Sequence, residues 1–175
     1  MIFAGSGGQG VLLAGKLLAW AGMLGGKQVT CFPSYGAEMR GGTANCTVII
    51  SDEEIGSPVV DSVKALVAFN QASAEKFAHK ISRGGIMVVN SSLVKNEVKR
   101  AGVKVIKVPA NDVAEGLGNA RAVNMVMLGA YLGATGVVSL LDVAKAMEDS
   151  LPARNKALLP INMAALKKGF EMVSK

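Results

Sequence analysis

The sequence predicts one α/β domain over residues 1–175, a Rossmann-like fold in which helices cover both faces of a largely parallel, possibly mixed sheet. Two observations favour this three-layer α/β/α class. Short runs rich in Val, Ile and Phe alternate with helical patterns along the chain. Two of those runs, 65–69 and 86–89, are apolar at every position, which is typical of strands buried on both faces.

Each predicted strand ends at a polar or glycine-rich corner, and helical patterns occupy most of the intervals between strands. We expect strands at 1–4, 27–32, 45–50, 64–69, 85–89 and 104–108. We expect helices at 8–24, 71–81, 94–101, 112–117, 121–132, 140–150 and 155–173. Residues 122–141 contain no charged side chain, but Asn124 and the glycines at 133 and 136 indicate two helices rather than a membrane span.

The composition is apolar, with 50% hydrophobic residues and 18% charged residues, against a usual charged fraction of ~25%. We therefore expect the domain to bury part of its apolar surface against a partner. Cys31, Cys46 and the single histidine cannot supply a four-thiolate iron–sulfur or zinc site, so we expect no metal centre in this chain and both thiols in apolar core strands. No secretory signature is present, and we expect a cytoplasmic protein.

The net charge of +6 lies entirely in the second half, where residues 81–175 hold thirteen basic and seven acidic side chains. Basic residues concentrate at Lys95, Lys99, Arg100, Lys104 and Lys107. This cluster either steers an anionic partner or is the solvated face of a helix followed by a strand. No aromatic residues interleave with it, so we expect no binding of single-stranded nucleic acid.

The segment Gly5-Ser-Gly-Gly-Gln-Gly10 fits the pattern G-x-G-x-x-G, directly after the first predicted strand and at the start of a helix. In that context backbone N–H groups and the helix N-terminus can hold a phosphate. A dinucleotide is disfavoured, because the second strand ends in Cys31-Phe-Pro33, without a carboxylate for a ribose hydroxyl. A tight packing turn with no ligand stays an alternative.

A second candidate is the segment 33–42, Pro-Ser-Tyr-Gly-Ala-Glu-Met-Arg-Gly-Gly. Arg40 can clamp an anionic group, and Tyr35 can stack or hydrogen-bond. The alternative is that Glu38 pairs with Arg40 and only orders the loop.

Polar residues also follow the later strands, at Asn70, at 90–92 and at Asn111. Ligands of such sheets bind outside the carboxyl ends of the strands, so these corners are candidate binding positions. Asn70 and Ser92 are alternatively helix caps.

With these motifs, and with 119–124 before a glycine-containing helix, the chain resembles the gamma subunit of 2-oxoacid:ferredoxin oxidoreductases over almost its whole length. The stretch 33–46 is long enough to be specific. Its Ser-Tyr-Gly-x-Glu-x-Arg-Gly-Gly form is most similar to the 2-oxoglutarate enzymes, then to the 2-oxoisovalerate enzymes and then to the pyruvate enzymes.

The resemblance implies a subunit of an enzyme that oxidatively decarboxylates a 2-oxoacid to an acyl-CoA and reduces ferredoxin. It implies partner alpha, beta and possibly delta subunits, which carry thiamine diphosphate, magnesium and iron–sulfur clusters. The gamma chain is then not catalytic alone, and it packs on the catalytic subunits and helps to place coenzyme A.

For that role, the glycine-rich segment is expected to offer backbone donors from Gly7, Gly8 and Gly10, and Arg40 to supply charge. Ser34, Tyr35 and Glu38 are expected to order the second loop. The candidate coenzyme A-binding set is Gly5, Ser6, Gly7, Gly8, Gln9, Gly10, Ser34, Tyr35, Glu38, Arg40 and Asn70.

Two other classes of protein stay open. A stand-alone nucleotide- or coenzyme A-binding α/β protein would use the same glycine loop without partners. A purely structural subunit would assemble identically but tolerate substitution of Ser6, Gln9 and Arg40 without a kinetic effect.

Overall fold

The computed structural model describes residues 1–34, 43–150 and 153–174. Its strands are β1 Ile2–Ser6, β2 Gln28–Ser34, β3 Thr43–Ser51, β4 Val63–Ala68, β5 Ile81–Asn90 and β6 Lys104–Val108. Its α-helices are α1 Val11–Leu24, α2 Gln71–Ala78, α3 Ala110–Gly116, α4 Val123–Thr135, α5 Leu140–Ser150 and α6 Leu159–Glu171. Short 3₁₀ helices at Ala120–Ala122 and Ala153–Leu158 precede α4 and α6.

The six strands form one mixed sheet in the order β2-β3-β1-β4-β5-β6. The β1–β4, β4–β5 and β5–β6 pairs are parallel, whereas β3 runs antiparallel to both β1 and β2. The prediction of a largely parallel, possibly mixed sheet in a single α/β domain is therefore confirmed. The carboxyl ends of all strands except β3 lie at one edge, where β3 begins at Thr43.

The sheet is covered unequally on its two faces. Phe3 of β1 faces a large core that it shares with α1, α3, α4, α5 and α6. Its neighbours Ile2 and Ala4 face a smaller core, in which α2 supplies Phe77. This alternation is the period of two expected of a strand buried on both faces.

Most predicted elements match the observed ones within a few residues, and the predicted helix 94–101 is wrong. Its residues form turns and irregular chain. Val94 and Val98 are four positions apart, which is the spacing of one helix face, but both pack against the smaller core from irregular chain. An eight-residue segment with two β-branched apolar positions has little helical stability of its own, so tertiary contacts decide its conformation.

Two boundaries also differ from expectation in ways that matter for the site. β5 begins at Ile81, where the sequence predicted the end of a helix. β2 continues through Pro33 to Ser34, so these two residues belong to a strand rather than to the predicted loop. Proline is tolerated there because β2 is an edge strand of the sheet.

The uncharged stretch around α4 is explained by burial, because every residue from Val123 to Leu132 is buried. Gly129 of α4 lies against α6 so closely that a Cβ atom there would sit 1.9 Å from the carbonyl oxygen of Leu166. Within the residues that the structure describes, no helix combines the length and the apolar character that a bilayer crossing requires.

Candidate functional site

The glycine-rich segment forms a tight turn between β1 and α1, at the edge where the parallel strands end. The Gln9 amide donates to the Ser6 carbonyl oxygen at 3.2 Å, and the Ser6 amide donates to Gln9 Oε1 at 2.7 Å. Gly5 is buried, whereas Gly7 and Gly8 are exposed. The turn is thus fixed from inside and presents its backbone outward at Gly7 and Gly8.

Asn70, between β4 and α2, braces this turn. Its Nδ2 donates to Ser6 Oγ at 2.8 Å and to Gln9 Oε1 at 3.0 Å. Its Oδ1 accepts from the Ser73 amide at 2.9 Å and caps α2. The helix-cap interpretation of Asn70 is confirmed, and the same side chain also connects the cap to the glycine-rich turn.

Gly10 is held in a left-handed conformation, with φ 72°, and closes the turn at the start of α1. A Cβ atom at this position would lie 2.5 Å from Asn124 Nδ2. Asn124 is almost fully buried in α4 and directs Nδ2 at the Gly10 carbonyl oxygen, 3.4 Å away. This role of Asn124 is not visible in the sequence, because nothing local to α4 signals a contact with a turn more than a hundred residues earlier.

The N-terminus of α1 provides the electrostatic character of the site. No side chain caps it, and its first turn contains no acidic residue. The first amide groups of an α-helix lack partners within the helix and carry a partial positive charge. With the exposed backbone of Gly7 and Gly8 beside them, they suit a phosphate or another anion.

The strand register positions both ends of the second candidate segment relative to this turn. Thr43 pairs with Ser6 across β3 and β1, and Ser34 pairs with Asn45 across β2 and β3. The chain therefore leaves the edge at the exposed Ser34 and returns beside the glycine-rich turn. The other candidates of this segment, Tyr35, Glu38 and Arg40, lie outside the described residues.

Lys76 adds a positive charge to this edge that the sequence analysis did not select. Its Nζ, on α2, donates to Thr43 Oγ1 at 2.9 Å. The ammonium also lies 5.6 Å from the centre of the Phe77 ring. The antiparallel strand β3 brings Thr43 to this edge, and no local pattern around Lys76 could have indicated the contact.

Asn90, at the end of β5, has a structural role. It is fully buried, its Nδ2 donates to Asn111 Oδ1 at 2.8 Å, and its Oδ1 accepts from the Ala110 amide at 3.2 Å. The expectation that Ser92 caps a helix is wrong, because no helix follows it. Ser92 Oγ instead accepts from the Asn111 amide at 3.3 Å.

The basic cluster lies away from the glycine-rich turn, on the side of the sheet that carries α2. Four of its residues line an open cavity of about 750 Å³ whose floor includes Met87 and Val89. These four residues are Lys95, Lys99, Arg100 and Lys107. The predicted helix in this cluster is wrong, because Lys95, Lys99 and Arg100 lie on irregular chain, but the residues are exposed and Lys107 lies on a strand, as the interpretation of a solvated face expected.

In the ranges 1–34, 43–150 and 153–174, no three His, Cys, Asp or Glu side chains come together in a group that could hold a metal ion.

The fold and this edge define a class of protein: a mixed α/β/α domain with a glycine-rich turn that opens onto a helix N-terminus. The chain belongs to the pyruvate ferredoxin/flavodoxin oxidoreductase family, whose model matches residues 1–172.

Two curated relatives represent different members of this family. The 2-oxoglutarate synthase subunit KorC of Methanothermobacter thermautotrophicus is 36% identical over 177 residues, which cover 97% of this chain and 92% of the relative. The ketoisovalerate oxidoreductase subunit VorA of Methanothermobacter marburgensis is 38% identical over 174 residues, which cover 98% of this chain. The chain spans 36% of the length of that VorA.

Two solved structures share the fold over nearly the whole chain. The gamma subunit of a keto/oxoacid ferredoxin oxidoreductase from Geobacter sulfurreducens is 33% identical, with a TM-score of 0.85 over 98% of this chain and 96% of that one. The 2-oxoglutarate:ferredoxin oxidoreductase of Magnetococcus marinus, solved with 2-oxoglutarate, coenzyme A and succinyl-CoA bound, is 27% identical. Its TM-score is 0.88, over 98% of this chain and 30% of that one.

Proposed function

We propose that this chain is the gamma subunit of a multisubunit, cytoplasmic 2-oxoacid:ferredoxin oxidoreductase. The observation that carries the proposal is the likeness to the Geobacter gamma subunit, which spans nearly all of both chains. The complete reaction converts a 2-oxoacid, coenzyme A and oxidised ferredoxin to an acyl-CoA, carbon dioxide and reduced ferredoxin. Alpha and beta subunits, with a delta subunit where one is present, supply thiamine diphosphate, magnesium and the iron–sulfur clusters, since two cysteines and one histidine are too few for such a cluster here.

The outer surface of the domain supports assembly with other subunits. Four large apolar side chains of α1 are exposed: Leu13, Trp20, Met23 and Leu24, with Met23 66% accessible. Residues separated by three, four, seven and eleven positions share one face of a helix. A face of this kind on a chain with few charged residues is typical of a surface that a partner covers.

We further propose that the glycine-rich turn and the segment 35–42 contribute to the coenzyme A site. The first amide groups of α1 lack partners within the helix and are offered to a phosphate at this edge. Arg40 supplies further positive charge from the segment that returns beside the turn at Thr43. Coenzyme A carries its negative charge on phosphates, which suits this combination of backbone donors and a cation.

The variant Arg40→Ala tests the coenzyme A contact in the assembled enzyme. Loss of one charge-assisted hydrogen bond costs about 1.5–3 kcal/mol, so the KM for coenzyme A is expected to rise about tenfold or more. Lys64→Ala is the matched control, because Lys64 is an exposed cation near the start of β4, at the opposite end of the parallel strands from the glycine-rich turn. An unchanged KM for coenzyme A in Arg40→Ala would remove this residue from the site.

For the substrate we propose 2-oxoglutarate. The KorC relative matches this chain over nearly the whole length of both proteins, and the Magnetococcus enzyme binds 2-oxoglutarate. A branched-chain 2-oxoacid is the second candidate, favoured by the 38% identity to VorA. The assembled enzyme should show its highest kcat/KM with 2-oxoglutarate among 2-oxoglutarate, 2-oxoisovalerate and pyruvate. A preference for 2-oxoisovalerate or pyruvate would refute 2-oxoglutarate as the substrate, but it would leave the membership of the family unchanged.

A further inference from the structure

The two cysteines of the chain meet across the β2–β3 hairpin, at the base of residues 35–42. Cys31 pairs with Val48 and Cys46 pairs with Pro33, so the two cysteines occupy diagonal positions on neighbouring strands. Their Sγ atoms lie 3.3 Å apart. The chain contains no third cysteine that could compete for either sulfur.

The surroundings of the two sulfurs differ. Cys46 is fully buried beneath α1, where a Cβ atom on Gly15 would lie 2.6 Å from its Sγ. Glycine at this position therefore leaves room for the thiol. Cys31 is only half-buried, on an edge strand, where it packs against the margin of the core rather than within it as expected.

The pKa values of the two thiols also differ: that of the half-buried Cys31 is lowered, and that of the buried Cys46 is raised. The hydrogen bond from Cys46 lowers the pKa of Cys31 to about 7, with help from the ammonium of Lys16 and against the opposing effect of burial. The same hydrogen bond, together with burial, raises the pKa of Cys46 above its usual range. The half-buried Cys31 is thus the more readily ionised and more nucleophilic of the two, and the buried Cys46 lies beside it as a resolving thiol.

We propose that Cys31 and Cys46 form a redox-active dithiol, which hydrogen peroxide converts to an intramolecular disulfide. The Cys31 thiolate attacks one peroxide oxygen, the O–O bond breaks, and Cys31 becomes a sulfenic acid while hydroxide leaves. The Cys46 sulfur then attacks the Cys31 sulfur, the S–S bond forms, and water leaves. Each sulfur has lost one electron, and the peroxide has been reduced to two molecules of water, with both thiol protons taken up by its oxygens.

The bond would tie together the strands that enter and leave residues 35–42. It encloses residues 31–46 in one covalent ring, and it is reversed by a dithiol reductant. Because Cys31 lies in β2 and Cys46 in β3, the disulfide would constrain this hairpin.

The test oxidises the purified protein with hydrogen peroxide, retaining any bound partner subunits, and then alkylates it with iodoacetamide in denaturant. We expect both cysteines of this chain to be protected, its mass to fall by two hydrogen atoms, and dithiothreitol to restore both alkylation sites. In a separate measurement on the native protein, at pH 7 and without peroxide or denaturant, Cys31 should be alkylated about fivefold faster than an ordinary cysteine, because its larger thiolate fraction outweighs its lower intrinsic nucleophilicity.

Cys46→Ser is the matched variant, since it retains the attacking thiol and removes the resolving one. In this variant we expect a sulfenic acid on Cys31 that dimedone traps. The proposal is overturned if oxidised wild-type protein keeps Cys46 open to alkylation, either with both thiols intact or with Cys31 carried on to sulfinic acid. The wild-type result decides alone if the Cys46→Ser variant fails to fold.

Discussion

Replacing Gly10 by alanine tests how the turn that starts α1 is held. Gly10 has φ 72°, and a left-handed conformation costs a residue with a Cβ atom about 1–2 kcal/mol. The new Cβ atom would also lie 2.5 Å from Asn124 Nδ2, and overpacking of this kind adds about 1–3 kcal/mol. The sum is about 2–5 kcal/mol of lost folding stability.

Gly8→Ala separates the two contributions. Gly8 has φ 88°, but nothing lies within 4 Å of a Cβ atom there, so only the backbone cost of about 1–2 kcal/mol applies. We expect Gly10→Ala to melt about 5 °C below Gly8→Ala by calorimetry, at about 2–4 °C per kcal/mol for a chain of this size. In an Asn124→Ala background the cost of Gly10→Ala should fall towards that of Gly8→Ala, because the substitution removes Nδ2 and Cγ and leaves only the Cβ atom of residue 124, 3.0 Å away. Equal costs of Gly10→Ala with and without Asn124 would refute the packing argument.

Three further predictions concern packing and assembly. Gly129→Ala should destabilise the protein by about 3 kcal/mol or more in urea unfolding, because its Cβ would lie 1.9 Å from the Leu166 carbonyl oxygen; a loss below about 1 kcal/mol would contradict this packing. Asn90→Ala should cost about 2–4 kcal/mol in the same assay and leave the KM for coenzyme A unchanged, since it removes partners from buried polar groups. Trp20→Glu should abolish co-purification with partner subunits while the chain keeps its circular dichroism spectrum.

Two matched variants control these measurements. Gly116→Ala, in α3, should be neutral or stabilise by up to about 1 kcal/mol, because nothing lies within 4 Å of its Cβ position. Val105→Glu changes an exposed apolar residue of β6, at the far end of the sheet from α1, and should leave assembly intact. If Val105→Glu prevents assembly as strongly as Trp20→Glu, the exposed face of α1 is not the specific contact.

The sequence predicted the three-layer class because its signals were local and repeated. Continuous apolar runs identified β4 and β5 as strands buried on both faces, and the glycine pattern identified the turn before α1. The prediction of a helix at 94–101 failed because the spacing of Val94 and Val98 fits both a helix face and two core contacts made from a loop. Only the tertiary environment distinguishes those two outcomes.

The site was predicted less completely, because several of its contacts join residues that are far apart in the sequence. Gly5–Gly10 and Asn70 were selected from their positions after β1 and β4, and hydrogen bonds join them in the structure. Asn124 and Lys76 escaped selection, since their contacts with Gly10 and Thr43 require the packing of α4 and the antiparallel path of β3. Cys46 is a core residue as predicted, whereas its contact with the half-buried Cys31 could not be predicted, because the β2–β3 register that aligns the two cysteines is not visible in their spacing.

The most direct test of the central proposal is purification of the tagged chain from its native host under anaerobic conditions. The purified material is then assayed for coenzyme A-dependent reduction of a viologen with 2-oxoglutarate, 2-oxoisovalerate and pyruvate. We predict recovery of a coloured complex with additional subunits that is active with 2-oxoglutarate. A colourless, folded monomer without partners or activity would contradict the subunit assignment and favour a stand-alone protein whose glycine-rich turn binds its own ligand.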